Sequence, residues 1–161
     1  MPALYPDCPQ TVRLVQVGGL TKLEILREFE RHEISMNPQG NQLFREMPIS
    51  IDAYRLETVQ FQLRCLGFRD GAISAQILNR AGELGLSVCS LEAAAYLRLA
   101  FLDQPEGPWI TIASDRQREE SQKPTGFYLR RREDGIWLRG YTASADHPWN
   151  PDEEFIFCRV E

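Results

Sequence analysis

The stretch GFYLRRREDGIWLRGY, from Gly126 to Tyr141, narrows the folds open to this chain more than any other. Two runs in which bulky and polar side chains alternate flank Asp134-Gly135, a pair that tolerates the positive φ angles of a two-residue hairpin loop. A loop at that position pairs Glu133 with Ile136, Arg132 with Trp137, Arg130 with Arg139 and Tyr128 with Tyr141. Neighbours along a strand point to opposite sides of the sheet, so the register sorts the side chains. Phe127, Leu129, Ile136, Leu138 and the small Gly140 share an aliphatic face, with Arg131 as the exception. Tyr128, Arg130, Arg132, Trp137, Arg139 and Tyr141 share a face of rings and guanidiniums.

Adjacent segments sort in the same way when read as strands. In YLRLAFL, Leu97, Leu99 and Phe101 oppose Tyr96 and Arg98. In WITIAS, Ile110 and Ile112 oppose Trp109 and Thr111. In EEFIFCRV, Ile156, Cys158 and Val160 oppose Phe155, Phe157 and Arg159. A charged loop, DRQREESQK, precedes Pro124. Helical grammar dominates earlier in the chain. Thr21 and Glu24 form a capping box ahead of Leu23, Leu26 and Phe29. Asn37 and Pro38 mark the N-cap and first turn of a second helix. Val59, Phe61 and Leu63 then alternate against Thr58, Gln60 and Gln62 as a half-buried strand. A third helix carries Ile73, Ile77, Ala81 and Leu84 on one face and stops at Gly85. Ser90 caps a short turn through LEAAA, and TVRLVQV, among three prolines and Gly18-Gly19, is a short strand or a loosely held arm. The expectation is one α+β domain over 1–161, with 1–50 mainly helical and 55–161 sheet-rich. In it, N-terminal helices pack on one face of a mostly antiparallel, meander-like sheet.

The chemistry-bearing motifs are sparse. HEISM at His32 has Met36 where a second zinc-binding histidine would stand, so two imidazoles cannot converge from one helix. No nucleophile elbow, Walker loop or dinucleotide-binding glycine motif is present. DHPWNPDEE, from Asp146 to Glu154, reads as a turn. Pro148 and Pro151 interrupt regular structure, Asp146 and Asn150 close local turns, and Trp149 anchors the connection. Consecutive carboxylates Asp152, Glu153 and Glu154 alternate across a strand, too few on one side for calcium. No cofactor and no metal are expected. Cys8, Cys65, Cys89 and Cys158 lie far apart without a Cys-x-x-Cys pair and read as free thiols. No signal peptide and no apolar run of membrane-spanning length is visible, which points to a cytoplasmic location.

The tracts LGF, GLSVC, LRLAFLDQPEGPWITIAS, GIWLRGY and WNPDEEFIF, spread from Leu66 to Phe157, resemble a scattered group of small uncharacterised bacterial proteins. The resemblance implies a bacterial cytoplasmic protein and carries no activity or site residues. Function therefore rests on the ring-and-guanidinium face. Its structural reading is cross-strand stabilisation of an exposed sheet, about 0.2–1 kcal/mol per pair. Its functional reading is a recognition surface, because Tyr, Trp and Arg dominate interface hot spots. The basic residues are sixteen Arg and only two Lys, yet the net charge is −5. A protein or small anionic ligand thus ranks above nucleic acid as partner, with no role for a membrane. The expected function is a non-catalytic binding module using Tyr128, Arg130, Arg132, Trp137, Arg139 and Tyr141. The alternative is a small hydrolase-like enzyme in which Cys89 or Cys158 meets His147, or in which carboxylates form the site.

Overall fold

Local signals place the first two helices where the sequence puts them. The computed structural model describes residues 4–114 and 124–159; the charged loop read at 115–123, and Val160, lie outside them. After strand β1 (Thr11–Val17), helix α1 (Lys22–Arg31) starts at a reciprocal capping box. Its Glu24 backbone N–H donates to Thr21, whose own N–H donates to the Glu24 carboxylate at 2.9 Å. The buried residues of α1 are Ile25 and Phe29, whereas Leu23 and Leu26 are largely exposed, so the expected apolar stripe is rotated. Strand β2 (Ile34–Met36) precedes α2 (Pro38–Glu46), whose cap is Asn37. Strand β3 (Tyr54–Gln62) ends in a 3-10 turn (Leu63–Leu66), followed by α3 (Ser74–Glu83) and the two-residue β4 (Leu86–Ser87).

The segment read as the strand YLRLAFL is instead mostly helix α4 (Leu91–Ala100). Ser90 accepts the Ala93 N–H, Glu92 sits in the first turn, and the Ala93–Ala95 run has the highest helix propensity available. Once nucleated, the helix extends through the alternating residues that mimic a strand. It is buried from Glu92 to Arg98, as a helix enclosed on all sides should be. Strands β5 (Ile110–Ile112), β6 (Gly126–Arg132), β7 (Gly135–Tyr141) and β8 (Glu154–Arg159) complete the chain.

The sheet order is β1-β3-β8-β5-β6-β7-β2, with β4 also paired to β8. Pairs β2/β7 and β5/β8 are parallel and the others antiparallel. This overturns the expected antiparallel meander with N-terminal helices. Two helices fall in the middle of the chain, and β8 inserts between strands far from it in sequence. Helix α4 packs on β1 and also on β6 and β7, near opposite ends of the sheet. Laid flat, the five strand-to-strand steps from β1 to β7 span roughly 24 Å, wider than a helix ~10–12 Å across can touch on both sides. The sheet therefore curls into a half-barrel around α4.

Both faces carry a core. The concave face presents Val15, Ile112, Phe127, Leu129, Leu138 and Ile156 to α1, α2 and α4. The convex face buries Val59, Phe61, Phe155 and Phe157 with residues of α3, the 3-10 turn and the N-terminal arm. The β6–β7 hairpin differs from the expected register. It pairs Arg130 with Trp137, Tyr128 with Arg139, and Arg132 with Gly135. Its two loop residues are Glu133 and Asp134, neither at positive φ, and Gly135 takes the positive φ, 128°. The turn thus has unprimed residues followed by a glycine that restores the twist, not the primed Asp-Gly turn. The register moves by two residues, an even number, so the sorting of side chains between faces is unchanged.

Candidate functional site

A strip of stacked rings crosses the convex face from its covered half to its open half. Tyr5 and Phe61 have ring centroids 5.1 Å apart, Phe61 and Phe157 5.5 Å, and Phe157 and Phe155 6.0 Å. The strip continues through Trp149, 5.3 Å from Phe155, to Tyr141 at 5.6 Å, both edge-on contacts. Tyr128 follows at 6.4 Å from Tyr141, and Trp109 at 6.2 Å from Tyr128. These separations fall in the range where aromatic pairs attract beyond simple burial. At the Tyr5–Phe157 end the rings are sealed beneath the arm, the 3-10 turn and α3. At the Tyr128–Trp109 end no helix covers them among the described residues, and Trp109 is 40% exposed.

The six residues singled out by alternation all lie on this open half. Tyr128, Arg130, Trp137, Arg139 and Tyr141 are half-buried, and Arg132 is exposed beside the hairpin turn. The guanidiniums stack on the rings. Arg130 sits 5.1 Å above Trp109, and Arg139 sits 4.9 Å above Trp137 and 6.0 Å above Tyr128. Arg139 Nε also donates to the Tyr128 hydroxyl at 2.7 Å. Trp137 Nε1 donates to Asp134 Oδ1 at 2.9 Å, tying its ring to the turn. Tyr141 stands opposite Gly126, where an added Cβ would lie 3.0 Å from the tyrosine hydroxyl, so the bare backbone of β6 gives the ring its seat. Burial pushes the Tyr141 phenol well above its ordinary pKa, which keeps it protonated.

The rings border an open cavity of about 280 Å³, lined by Trp109, Tyr128, Arg130, Tyr141, His147, Trp149 and Glu153 among others. Sequence reasoning placed Trp109 on the ring face through the WITIA alternation but did not join it to the site. Trp149 was assigned to a turn alone. Its place is set by a long-range bridge to Ala72 and by Nε1 donating to Ser74 at the start of α3, 3.1 Å away, a contact without a local signal.

The loop carrying Trp109 is held from the concave side. Arg98, fully buried on α4, donates to Gln104 Oε1 at 2.8 Å, to the Trp137 carbonyl at 3.0 Å and to the Phe101 carbonyl. Gln104 donates in turn to the Leu129 carbonyl at 3.2 Å. Arg131, the exception on the aliphatic face, donates to the carbonyls of Gln104 and Leu102. Burial, followed by the nearby Arg131 and Arg13 guanidiniums, lowers the Arg98 pKa to about 10, so it remains charged at neutral pH. One polar knot therefore ties residues 101–104, at the start of that loop, to both strands of the hairpin.

The pairing of a cysteine with His147 is not assembled. Cys89 and Cys158 face each other in the concave core, Sγ to Sγ 2.7 Å, and contact with Cys158 followed by burial raises the Cys89 thiol well above its ordinary pKa. His147 lies on the convex side, its ring 4.6 Å from Trp149 and exposed, so neither thiol meets it. DHPWNPDEE is a turn: the Asp152 N–H donates to Asn150 Oδ1 at 2.9 Å, and the Asn150 N–H donates to Glu153 at 2.8 Å. Asp152 pairs with Arg64, and Glu154 accepts from Gln60 on the concave side, so the consecutive carboxylates diverge. Among the described residues no group of three or more His, Cys, Asp or Glu is placed to hold a metal ion. The expectation of four free thiols is corrected by a disulfide between Cys8 and Cys65, whose Cα atoms are 5.9 Å apart. The N-terminal arm folds back on the 3-10 turn, where the Tyr5 N–H bonds the Cys65 carbonyl, and this brings together residues that sequence spacing keeps apart. No helix among the described residues is long and apolar enough to cross a membrane. A comparison with protein families, with curated proteins and with solved structures finds no match to this chain.

Proposed function

We propose that this protein is a non-catalytic binding module whose partner, a protein segment or small molecule bearing negative charge, docks on the open convex half of the sheet. One observation carries the reading: the ring strip sealed beneath α3 at one end emerges at the other and ends in Arg130 and Arg139. Both guanidiniums stack on rings, and among the described residues neither forms an ion pair with a carboxylate. A planar cation presented on an aromatic platform suits carboxylate or phosphate. The Arg130→Glu/Arg139→Glu double variant tests this. It should lose partner retention in a pull-down while keeping the wild-type melting temperature and circular dichroism. Recovery of the same partners at unchanged yield makes the face a structural one. Binding of single-stranded oligonucleotide that weakens steeply with salt would point instead to a nucleic-acid partner.

The cytoplasmic location expected from the sequence belongs to this proposal and meets an opposing observation, because a structural disulfide suits an oxidising compartment. Trapping thiols with iodoacetamide during lysis directly into denaturant, followed by intact mass, decides between them. Four alkylated cysteines place the protein in a reducing compartment, and an unmodified Cys8–Cys65 pair places it in an oxidising one.

A further inference from the structure

We propose that the cavity within this face is a site for a small planar organic anion, one or two aromatic rings bearing a carboxylate, held by Arg130; this rests on the binding-module reading and names its ligand. The cavity volume of about 280 Å³ is just under the ~300–1,000 Å³ of drug-sized pockets, which suits a one- or two-ring molecule. Its walls are flat: Trp109, Tyr128, Tyr141 and Trp149 border it. These rings are already fixed by contacts with one another, so a planar ligand meets pre-ordered stacking partners and little side-chain freedom is lost on binding.

The charge preference follows from which polar groups are already engaged. Glu153, the carboxylate at the rim, accepts the Asn150 N–H in its own turn. Arg130 differs. Its guanidinium lies 5.1 Å over Trp109, and its Nε is buried with no hydrogen-bond partner. Arg130 is also one of the residues that border the cavity, so its guanidinium meets a ligand that enters there. A carboxylate entering there takes charge-assisted hydrogen bonds from the guanidinium while its ring lies along Trp109 and Tyr128. A cationic ligand, which an all-aromatic cage would favour, is repelled by that same arginine.

Benzoate and indole-3-acetate serve as probes, with benzamide as the neutral isostere and cyclohexanecarboxylate as the non-aromatic acid. Binding is read by tryptophan fluorescence and by calorimetry on the full chain. The expected result is saturable binding of the aromatic acids, at least tenfold tighter than benzamide and than cyclohexanecarboxylate. Arg130→Gln should remove the preference for acid over amide while leaving ring binding. Trp109→Leu should weaken benzoate and benzamide alike. Unchanged melting temperatures show that both variants fold. The proposal is overturned if no aromatic acid binds saturably, or if Arg130→Gln keeps the tenfold preference for acid. Should the aromatic acids fail while the Arg130→Glu/Arg139→Glu variant still loses its partner in the pull-down, the surface reading stands and the small-anion site falls.

Discussion

Replacing Arg98 with methionine tests whether the ring-and-guanidinium face is held from behind. The buried guanidinium serves three acceptors, Gln104 Oε1 and the carbonyls of Trp137 and Phe101. Methionine fills comparable space and leaves all three without that donor. Each buried acceptor left unpaired costs ~1–3 kcal/mol, so the loss is ~3–9 kcal/mol if nothing relaxes. The charge itself works in the opposite direction. Among the described residues no carboxylate pairs with Arg98, while Arg131 and Arg13 oppose its charge and its Nε is unpaired. Removing an isolated buried charge therefore returns several kcal/mol of desolvation. The net expectation is a loss of ~2–4 kcal/mol, or roughly 5–15 °C in Tm for a chain of this size. Urea unfolding followed by tryptophan fluorescence measures it, with a lower midpoint at unchanged slope. Arg98→Lys should be nearly as damaging, because one ammonium cannot span acceptors arranged for a planar fork. Stability of Arg98→Met within ~0.5 kcal/mol of wild type would refute the reasoning, because desolvation would then cancel the hydrogen bonds.

Three further outcomes are expected. Asn37 accepts the N–H groups of Gly40 and Gly140 at 2.8 Å each and donates to the Gly140 carbonyl at 3.0 Å, so it both caps α2 and stitches it to β7. Asn37→Ala should cost ~3–5 kcal/mol in thermal unfolding, several times a simple cap loss, and a cost near 1 kcal/mol would show that β7 does not depend on it. The Cys8–Cys65 bond spans 57 residues, for which the chain-entropy model gives ~4 kcal/mol. The Cys8→Ala/Cys65→Ala variant should unfold ~2–4 kcal/mol more easily, and equal stability would mean that the disulfide adds nothing to the fold. A Cβ at Gly126 would sit 2.9 Å from Ser114 Cβ and 3.0 Å from the Tyr141 hydroxyl. Gly126→Val should cost ~1–3 kcal/mol by overpacking and should alter the near-ultraviolet tyrosine signal, whereas an unchanged spectrum would show that Tyr141 has room to move.

The parts of this fold that were legible in the sequence are those whose cause lies within a few residues. Thr21 with Glu24, and Asn37 with Pro38, start helices because a side chain three positions away satisfies the same backbone groups in any fold. The side-chain make-up of the convex face was legible for a different reason. Alternation fixes a face by parity, so a loop misplaced by one residue moved every pairing of the hairpin by two and left Tyr128, Arg130 and Trp137 on the same side. The same alternation misled in Leu97, Leu99 and Phe101, where Ser90 and the alanine run decide in favour of helix. What was not legible depends on distant partners: β2 lying parallel to β7, β8 inserting beside β5, Cys8 reaching Cys65, and Trp149 resting on Ala72 and Ser74. No local pattern encodes these, because the residues that select them lie dozens of positions away. For Trp149 this meant a turn residue was also a wall of the cavity.

The position of β8 has a consequence for how the protein is made. It follows every other strand in chain order, yet it occupies the middle of the sheet, with β3 on one side and β5 and β4 on the other. Until residues 154–159 pair, the strands can form only two partial sheets, β1–β3 and β5–β6–β7–β2. Each presents a raw strand edge to the gap, and the rings of Phe155 and Phe157 are missing from the convex core. Such edges recruit any extended chain within reach. Completion is a single late insertion between partners distant in sequence, the kind of step that slows folding. A chain truncated before Glu154 should therefore be protease-sensitive and bound by holdase chaperones, and a chain that includes residues 154–159 should be protected. The window of risk during synthesis is set by the roughly ninety residues that separate β3 from the strand it awaits.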